Sequence, residues 1–155
     1  MGCGKSVVGV LVARRAGAPF HDLDFVIESE AGMSISDIFA TRGETAFRAM
    51  ESRLLPTLLQ PGAVVALGGG ATIDEDNWRL IVERSTTVFL DCDFKTIWSR
   101  IKGSTNRPLL ASRTRKELEA LLKQRRPRYL EAIHTVDGDR PEDVVAEEVL
   151  KLWSD

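Results

Sequence analysis

The sequence has few cysteines and almost no excess of charge of either sign. Its 155 residues include only Cys3 and Cys92, too few for a disulfide framework, so we expect a cytoplasmic protein in a reducing compartment. A formal net charge of −2 argues against the broad electrostatic attraction that nucleic-acid binding needs. No apolar run approaches the roughly 18 residues that span a membrane, and we expect neither a membrane segment nor a secretory signal.

What is present is an ordinary globular composition, with 43% hydrophobic residues, and a length that suits one domain over residues 1–155. Short apolar runs that end in small or acidic residues alternate with segments of helical period. The runs at 19–21, 64–67 and 87–90 predict strands of a parallel sheet covered on both faces. The helical segments are 5–15, 44–59, 74–83, 94–102, 115–126 and 142–153. This alternation predicts a layered α/β domain.

The first residues favour a phosphate-binding loop. Gly2-Cys3-Gly4-Lys5-Ser6 leads directly into a predicted helix, whose N-terminal N–H groups attract anions. A lysine there reaches outer phosphates and a serine hydroxyl can ligate Mg²⁺. The full motif needs one more glycine, five positions before Gly4, so the match is partial. The same residues also fit an N-myristoylation signal, and six residues alone do not separate the two interpretations.

The partial motif has an energetic consequence. The strand that feeds such a loop runs through the middle of the sheet, and about five buried apolar residues at roughly 1.5–3 kcal/mol each would stabilise the fold considerably. The sum of these burial free energies is comparable to the whole free energy of unfolding of a domain, roughly 5–15 kcal/mol. We therefore expect that the natural product begins upstream of Met1, or that another element fills the gap.

Two further features indicate a site. Asp22 and Asp24 are two residues apart, so an ideal strand would place both carboxylates on one side, one nearer a metal and one nearer an acceptor hydroxyl; alternatively, Asp24 caps a helix over the following apolar run. Residues 103–115 have no period and include three arginines. A loop of that length in a compact domain is often functional, for example as a lid, although a plain surface loop is the alternative.

Taken together, several motifs resemble the shikimate kinase family. They are Gly-Cys-Gly-Lys-Ser (2–6), Asp-Leu-Asp (22–24), Gly-Glu-Thr-Ala-Phe-Arg (43–48), Leu-Gly-Gly-Gly-Ala (67–71), Arg-Pro-Leu-Leu (107–110) and Arg-Arg-Pro-Arg-Tyr (125–129). The resemblance implies a three-layer P-loop kinase fold with five parallel strands, the first of which is missing from this chain. It also implies ATP-dependent phosphorylation of the 3-hydroxyl of shikimate.

The resemblance further implies which residues bind the nucleotide and the metal. The nucleotide site would comprise Gly2, Cys3, Gly4, Lys5, Ser6, Val7, Arg100, Arg107 and Arg140. Lys5 would hold the β- and γ-phosphates, and Arg107 would close over the transferred phosphate. Mg²⁺ would be bound by Ser6 and, through water, by Asp22. Arg100 and Arg140 would lie on the adenine side.

Shikimate would be bound by Asp24, Arg48, Gly69, Gly70 and Arg125. Lys5, Asp24 and Arg107 would be catalytic, with Asp24 as the candidate base. A guanidinium binds a carboxylate with two hydrogen bonds, which suits the carboxylate of shikimate. Arg125 is in register with Leu118 and Leu122, so it should project from the inward face of its helix. A solvated arginine is the alternative for Arg48, and a cation near a helix C-terminus for Arg125.

Two other functions stay open. A related small-molecule kinase, such as a gluconate kinase-like enzyme, would share the phosphate loop but would not need two carboxylate-binding arginines. A non-catalytic kinase-like module is suggested by the partial motif. For the leading interpretation, we expect a monomer that binds ATP, Mg²⁺ and shikimate, with no nucleic-acid or membrane partner.

Overall fold

The structure is a computed structural model that describes residues 2–102 and 114–153. Its elements in chain order are α1 (Lys5–Ala16), β1 (Phe20–Asp22), α2 (Leu23–Ala31), α3 (Ile35–Leu58), β2 (Val64–Ala66), α4 (Glu75–Arg84), β3 (Val88–Asp91), α5 (Phe94–Ile101), α6 (Arg115–Tyr129), β4 (His134–Asp137) and α7 (Glu142–Lys151). The expected lid at 103–115, including Arg107, lies outside the described residues except for its last two positions.

The strands pair in parallel, as the apolar runs predict. β1 lies beside β2 with Phe20 opposite Val64, and β3 lies beside β4 with Val88 opposite His134. Within the described residues, the two pairs form separate two-stranded sheets. A cavity of about 570 Å³ is lined by both β2 and β3, and by Val8 and Val12 of α1. The described elements therefore do not fill the expected gap.

Helices cover these strands and divide the core into two clusters. α1 packs against α7 and β2, and α2 packs against α3. One cluster contains Val12, Ile97 and Val145, and the other contains Ile27 and Leu55. Burial of these side chains is the main favourable contribution to the free energy of folding. No helix in the described ranges is both long enough and apolar enough to cross a membrane.

Two helices differ from the sequence prediction. α2 covers residues 23–31, where no helix is predicted with defined bounds. α3 begins at Ile35, nine residues before the predicted helix at 44–59, and is broken at Gly43, which has φ 80° and ψ 170°. That left-handed φ is accessible to glycine at little cost. The break redirects the chain, and the predicted helix corresponds to the second half of α3.

Candidate active site

The N-terminus of α1 has the geometry of an anion site. Gly2 and Gly4 have φ of 63° and 84°, a conformation that glycine adopts readily. Gly4 caps the helix without any side-chain hydrogen bond, and the first turn of α1 contains no acidic residue. The first N–H groups of a helix lack intrahelical partners, so those of Ser6 and Val7 are available to a phosphate. The half-buried Lys5 adds a positive charge.

Ser6 contacts the acid pair directly. Its hydroxyl donates to Asp22 Oδ2 at 2.5 Å, which joins the start of α1 to the end of β1. Hydroxyl and carboxylate oxygens suit Mg²⁺, which usually keeps several waters and takes one or two carboxylates together with substrate phosphates. Within the described residues, no group of three or more His, Cys, Asp or Glu forms a metal cage. The Ser6–Asp22 pair fits a metal that is bound largely by phosphate and water.

The expected strand geometry of the two aspartates is wrong. β1 ends at Asp22, and Asp24 lies in the first turn of α2. The helix cap is Asp22 rather than Asp24, because Asp22 Oδ1 accepts the backbone N–H of Asp24 at 3.1 Å. A carboxylate at this position satisfies an otherwise unpaired helix donor. The cap, and not strand alternation, therefore positions the two carboxylates relative to each other.

Arg48 is held by two carboxylates of its own helix. Its Nη1 donates to Glu51 Oε2 at 2.5 Å, and its Nη2 donates to Glu44 Oε1 at 3.0 Å. Glu51 is only 1% exposed, whereas the side chain of Glu44 is 64% exposed. Burial opposes the charge on Arg48, but the hydrogen bonds to these carboxylates raise its pKa overall. The guanidinium therefore stays charged and has a defined orientation.

Glu51 links Arg48 to the other predicted substrate residues. Burial raises the pKa of the Glu51 carboxyl, the Arg48 guanidinium opposes that shift, and the charges of Asp24 and Arg125 also act on it. Burial likewise raises the pKa of Tyr129, and the charge of the Arg125 guanidinium opposes that shift. Residues from α2, α3 and α6 therefore meet in one electrostatically connected cluster.

The glycine turn after β2 packs against this cluster. A Cβ at Gly68 would lie 2.8 Å from Asp24 Oδ1, and a Cβ at Gly70 would lie 2.2 Å from Arg48 Nη1. The Tyr129 hydroxyl donates to the Gly69 carbonyl at 2.8 Å. The sequence prediction attributes these glycines to the approach of a ligand. The structure adds a second reason, since the protein's own Asp24 and Arg48 occupy the space that a side chain would need.

Of the two arginines predicted on the adenine side, Arg100 lies near the phosphate loop. Its Nη1 is 3.4 Å from the Gly138 carbonyl and 4.0 Å from the position of a Cβ built at Gly4. Arg140 is bound to Glu148 of α7 and lies 3.5 Å from Asp137. Its guanidinium is therefore engaged by acidic residues of its own segment, and the described contacts do not join it to the loop.

Sequence reasoning missed Glu51 and the role of Tyr129. Glu51 falls between Phe47 and Leu54 on the inward-facing side of α3. An acidic residue on the apolar face of a predicted helix could have indicated a buried functional carboxylate. Tyr129 lies four residues after Arg125 and shares its helix face. Glu51 and Tyr129 are neighbours of the predicted arginines Arg48 and Arg125, and the arginines keep their predicted substrate-binding role.

A phosphate loop at a helix start, a hydroxyl–carboxylate pair beside it and parallel strands covered by helices define a P-loop kinase. The family model described as shikimate kinase matches residues 1–153. The chain belongs to the shikimate kinase family, which confirms the resemblance seen in its motifs.

Individual relatives agree with the family match. The chain is 42% identical over 158 residues to the shikimate kinase of Rhizobium meliloti (strain 1021), covering 100% of this chain and 82% of that protein. It superposes on the shikimate kinase of Acinetobacter baumannii in complex with shikimate with a TM-score of 0.94, at 34% identity over 99% of this chain and 88% of the other. The Aquifex aeolicus shikimate kinase gives a TM-score of 0.87 at 36% identity, covering 99% of this chain and 92% of that one.

Proposed function

We propose that this protein transfers the γ-phosphoryl group of ATP to the 3-hydroxyl of shikimate. The observation that carries the proposal is the convergence of Arg48, Arg125 and Asp24 at the glycine turn after β2. Two guanidinium groups beside a carboxylate suit a small molecule that carries one carboxylate and several hydroxyls. The complex of the Acinetobacter baumannii relative with shikimate supports the same substrate.

The nucleotide is held by the start of α1. The N–H groups of its first turn and the Lys5 ammonium bind the phosphates, and Gly2, Cys3 and Gly4 form the preceding loop. Ser6 and Asp22 hold Mg²⁺, which neutralises phosphate charge when bound. Arg100 and Arg140 contact the nucleotide on its adenine side, and Arg107 closes over the transferred phosphate. The roles of Arg107 and Arg140 rest on the family motif alone.

The acceptor is held on the opposite side. Arg48 and Arg125 bind the carboxylate, Gly69 and Gly70 let the substrate approach the backbone, and Asp24 accepts the proton of the attacking hydroxyl. Glu51 holds Arg48 from its buried side, which leaves the partly exposed side of the guanidinium to the substrate carboxylate. Catalysis then depends mainly on positioning and electrostatic stabilisation.

A single chain supplies both sides of this site, so we propose a monomer of one domain. Both cysteines are free thiols, which supports a cytoplasmic location. Size-exclusion chromatography with light scattering tests the monomer, since a concentration-independent dimer would contradict it.

A coupled assay of ADP formation tests the function. We expect turnover that requires shikimate, ATP and Mg²⁺, with one shikimate 3-phosphate formed for each ADP. Turnover with gluconate instead of shikimate would assign the chain to another small-molecule kinase activity. Failure to turn over either alcohol, in protein shown to be folded by circular dichroism, would refute the proposal.

A further inference from the structure

The two cysteines are in contact although 89 positions separate them. Cys92 Sγ lies 4.0 Å from the Cys3 carbonyl oxygen, and both residues line the same small cavity of about 30 Å³. Each residue is 8% exposed.

The environments of the two sulfurs differ. The neighbouring Cys92 thiol is the main cause that lowers the pKa of Cys3, and the charge and backbone N–H of Lys5 act in the same direction against burial. The Cys3 sulfur and burial raise the pKa of Cys92. A thiolate is the nucleophilic form of cysteine, and a neighbouring thiol can resolve its first oxidation product.

We propose that Cys3 and Cys92 form a reversible disulfide that prevents nucleotide binding. The Cys3 thiolate attacks a peroxide oxygen, the O–O bond breaks, and Cys3 becomes a sulfenic acid while hydroxide leaves. The Cys92 sulfur then attacks the Cys3 sulfur, the S–O bond breaks, and the Cys92 proton leaves with the oxygen as water. The two thiols lose two electrons in total, and one peroxide is reduced to two waters. A dithiol reductant reverses the reaction.

Formation of this disulfide would displace the phosphate loop. An S–S bond is about 2.0 Å long, shorter than any contact between two sulfurs that are not bonded, and both thiols are free, so one sulfur must move. Cys92 is confined, because a Cβ at Gly138 would lie 2.4 Å from its sulfur and the Gly138 N–H donates to the Asp91 carbonyl at 2.7 Å. Cys3 stands between two glycines at positive φ. The loop that presents N–H groups to phosphate is therefore the part that shifts.

The inhibitory role rests on the proposed nucleotide site, but formation of the disulfide can be measured without it. Reduced full-length protein is treated with hydrogen peroxide, its thiols are counted after denaturation, and its peptides are mapped by mass spectrometry. We expect both thiols to disappear into one intrachain Cys3–Cys92 link. Cys92→Ala provides the matched control, in which the sulfenic acid of Cys3 accumulates and is trapped by dimedone. Two remaining thiols, or links only between chains, would overturn the proposal.

The second readout is binding of a fluorescent ATP analogue. We expect the dissociation constant to rise by at least about tenfold on oxidation and to recover with dithiothreitol, while reduced Cys92→Ala binds as the parent protein does. A disulfide that leaves nucleotide affinity unchanged would overturn the inhibitory role. If the reduced protein binds no nucleotide, the proposed function fails together with that role, and this result is distinct from a failure to form the disulfide.

Discussion

Arg48 and Glu51 form the central ion pair of the site, with 2.5 Å between Nη1 and Oε2. The glutamate is 1% exposed and the arginine side chain is 33% exposed, so the pair has a buried end and an open end. Removing one partner of a buried pair would leave the other charge uncompensated, so the pair is expected to stay together. Glu51 therefore fixes the direction in which the Arg48 guanidinium meets a substrate.

Replacement of Arg125 should weaken shikimate binding selectively. We expect Arg125→Ala to raise the KM for shikimate by at least about tenfold, since a charge-assisted hydrogen bond contributes about 1.5–3 kcal/mol. The KM for ATP should change little, because Lys5 and the start of α1 are untouched. The matched control is Arg126→Ala, which removes a neighbouring cation that pairs with Asp91 instead. Equal effects of Arg125→Ala on both KM values would reject the carboxylate-binding role.

Loss of Lys5 should impair catalysis while the fold survives. We expect Lys5→Met to lower kcat by roughly 10²–10³-fold, the usual effect of losing one group that stabilises transition-state charge. The exposed Lys123→Met variant, on α6, serves as the control for loss of a lysine charge. Steady-state kinetics and circular dichroism measure the two effects separately. A Lys5→Met protein that keeps full activity would refute the phosphate-loop assignment.

Gly70 should act through Arg48. A Cβ at this position would meet Arg48 Nη1 at 2.2 Å, and Arg48 cannot yield easily because two glutamates hold it. We therefore expect Gly70→Ala to raise the KM for shikimate. The double variant Gly70→Ala/Arg48→Ala should be no worse than Arg48→Ala alone, since coupled residues give non-additive effects. Additive losses would show that Gly70 acts on the substrate independently of Arg48.

The pH dependence of stability should reveal Glu51. Burial raises its pKa above the ordinary value of 4.5, so the folded state binds more protons than the unfolded state between the two pKa values. The stability that this group contributes is fully present below pH 4.5 and declines as pH rises through the folded pKa. We expect Glu51→Gln to remove this decline, so the melting temperature of the variant relative to the parent should rise with pH in that window.

Glu44→Gln is the control for this measurement, because Glu44 also pairs with Arg48 but is largely exposed. Its melting temperature should follow that of the parent protein at every pH. If the melting temperatures of Glu51→Gln and the parent differed by a constant amount across this pH window, Glu51 would have the same pKa in the folded and unfolded states, which would contradict the prediction.

The sequence predicted the features that depend on neighbouring residues. The phosphate loop is one, because two glycines and the first turn of a helix are enough to present N–H groups to an anion. The second half of α3 and most of α6 were also predicted, since the spacing of apolar residues reports a buried helix face. The bounds of α2 were not. Its cap residue, Asp22, is also the last residue of the three-residue strand β1, so the sequence there fits both a helix start and a strand.

The sequence by itself determined which charged side chains and glycines this protein has, and which of them belong to the family's motifs. Only the tertiary structure decided that Asp24, Arg48, Gly70 and Arg125 meet, and that Glu51 lies buried among them. The reason is physical: these residues lie on three helices and a turn, far apart in the chain. Their distances are set by how α2, α3 and α6 pack, and local backbone preferences carry no information about that packing.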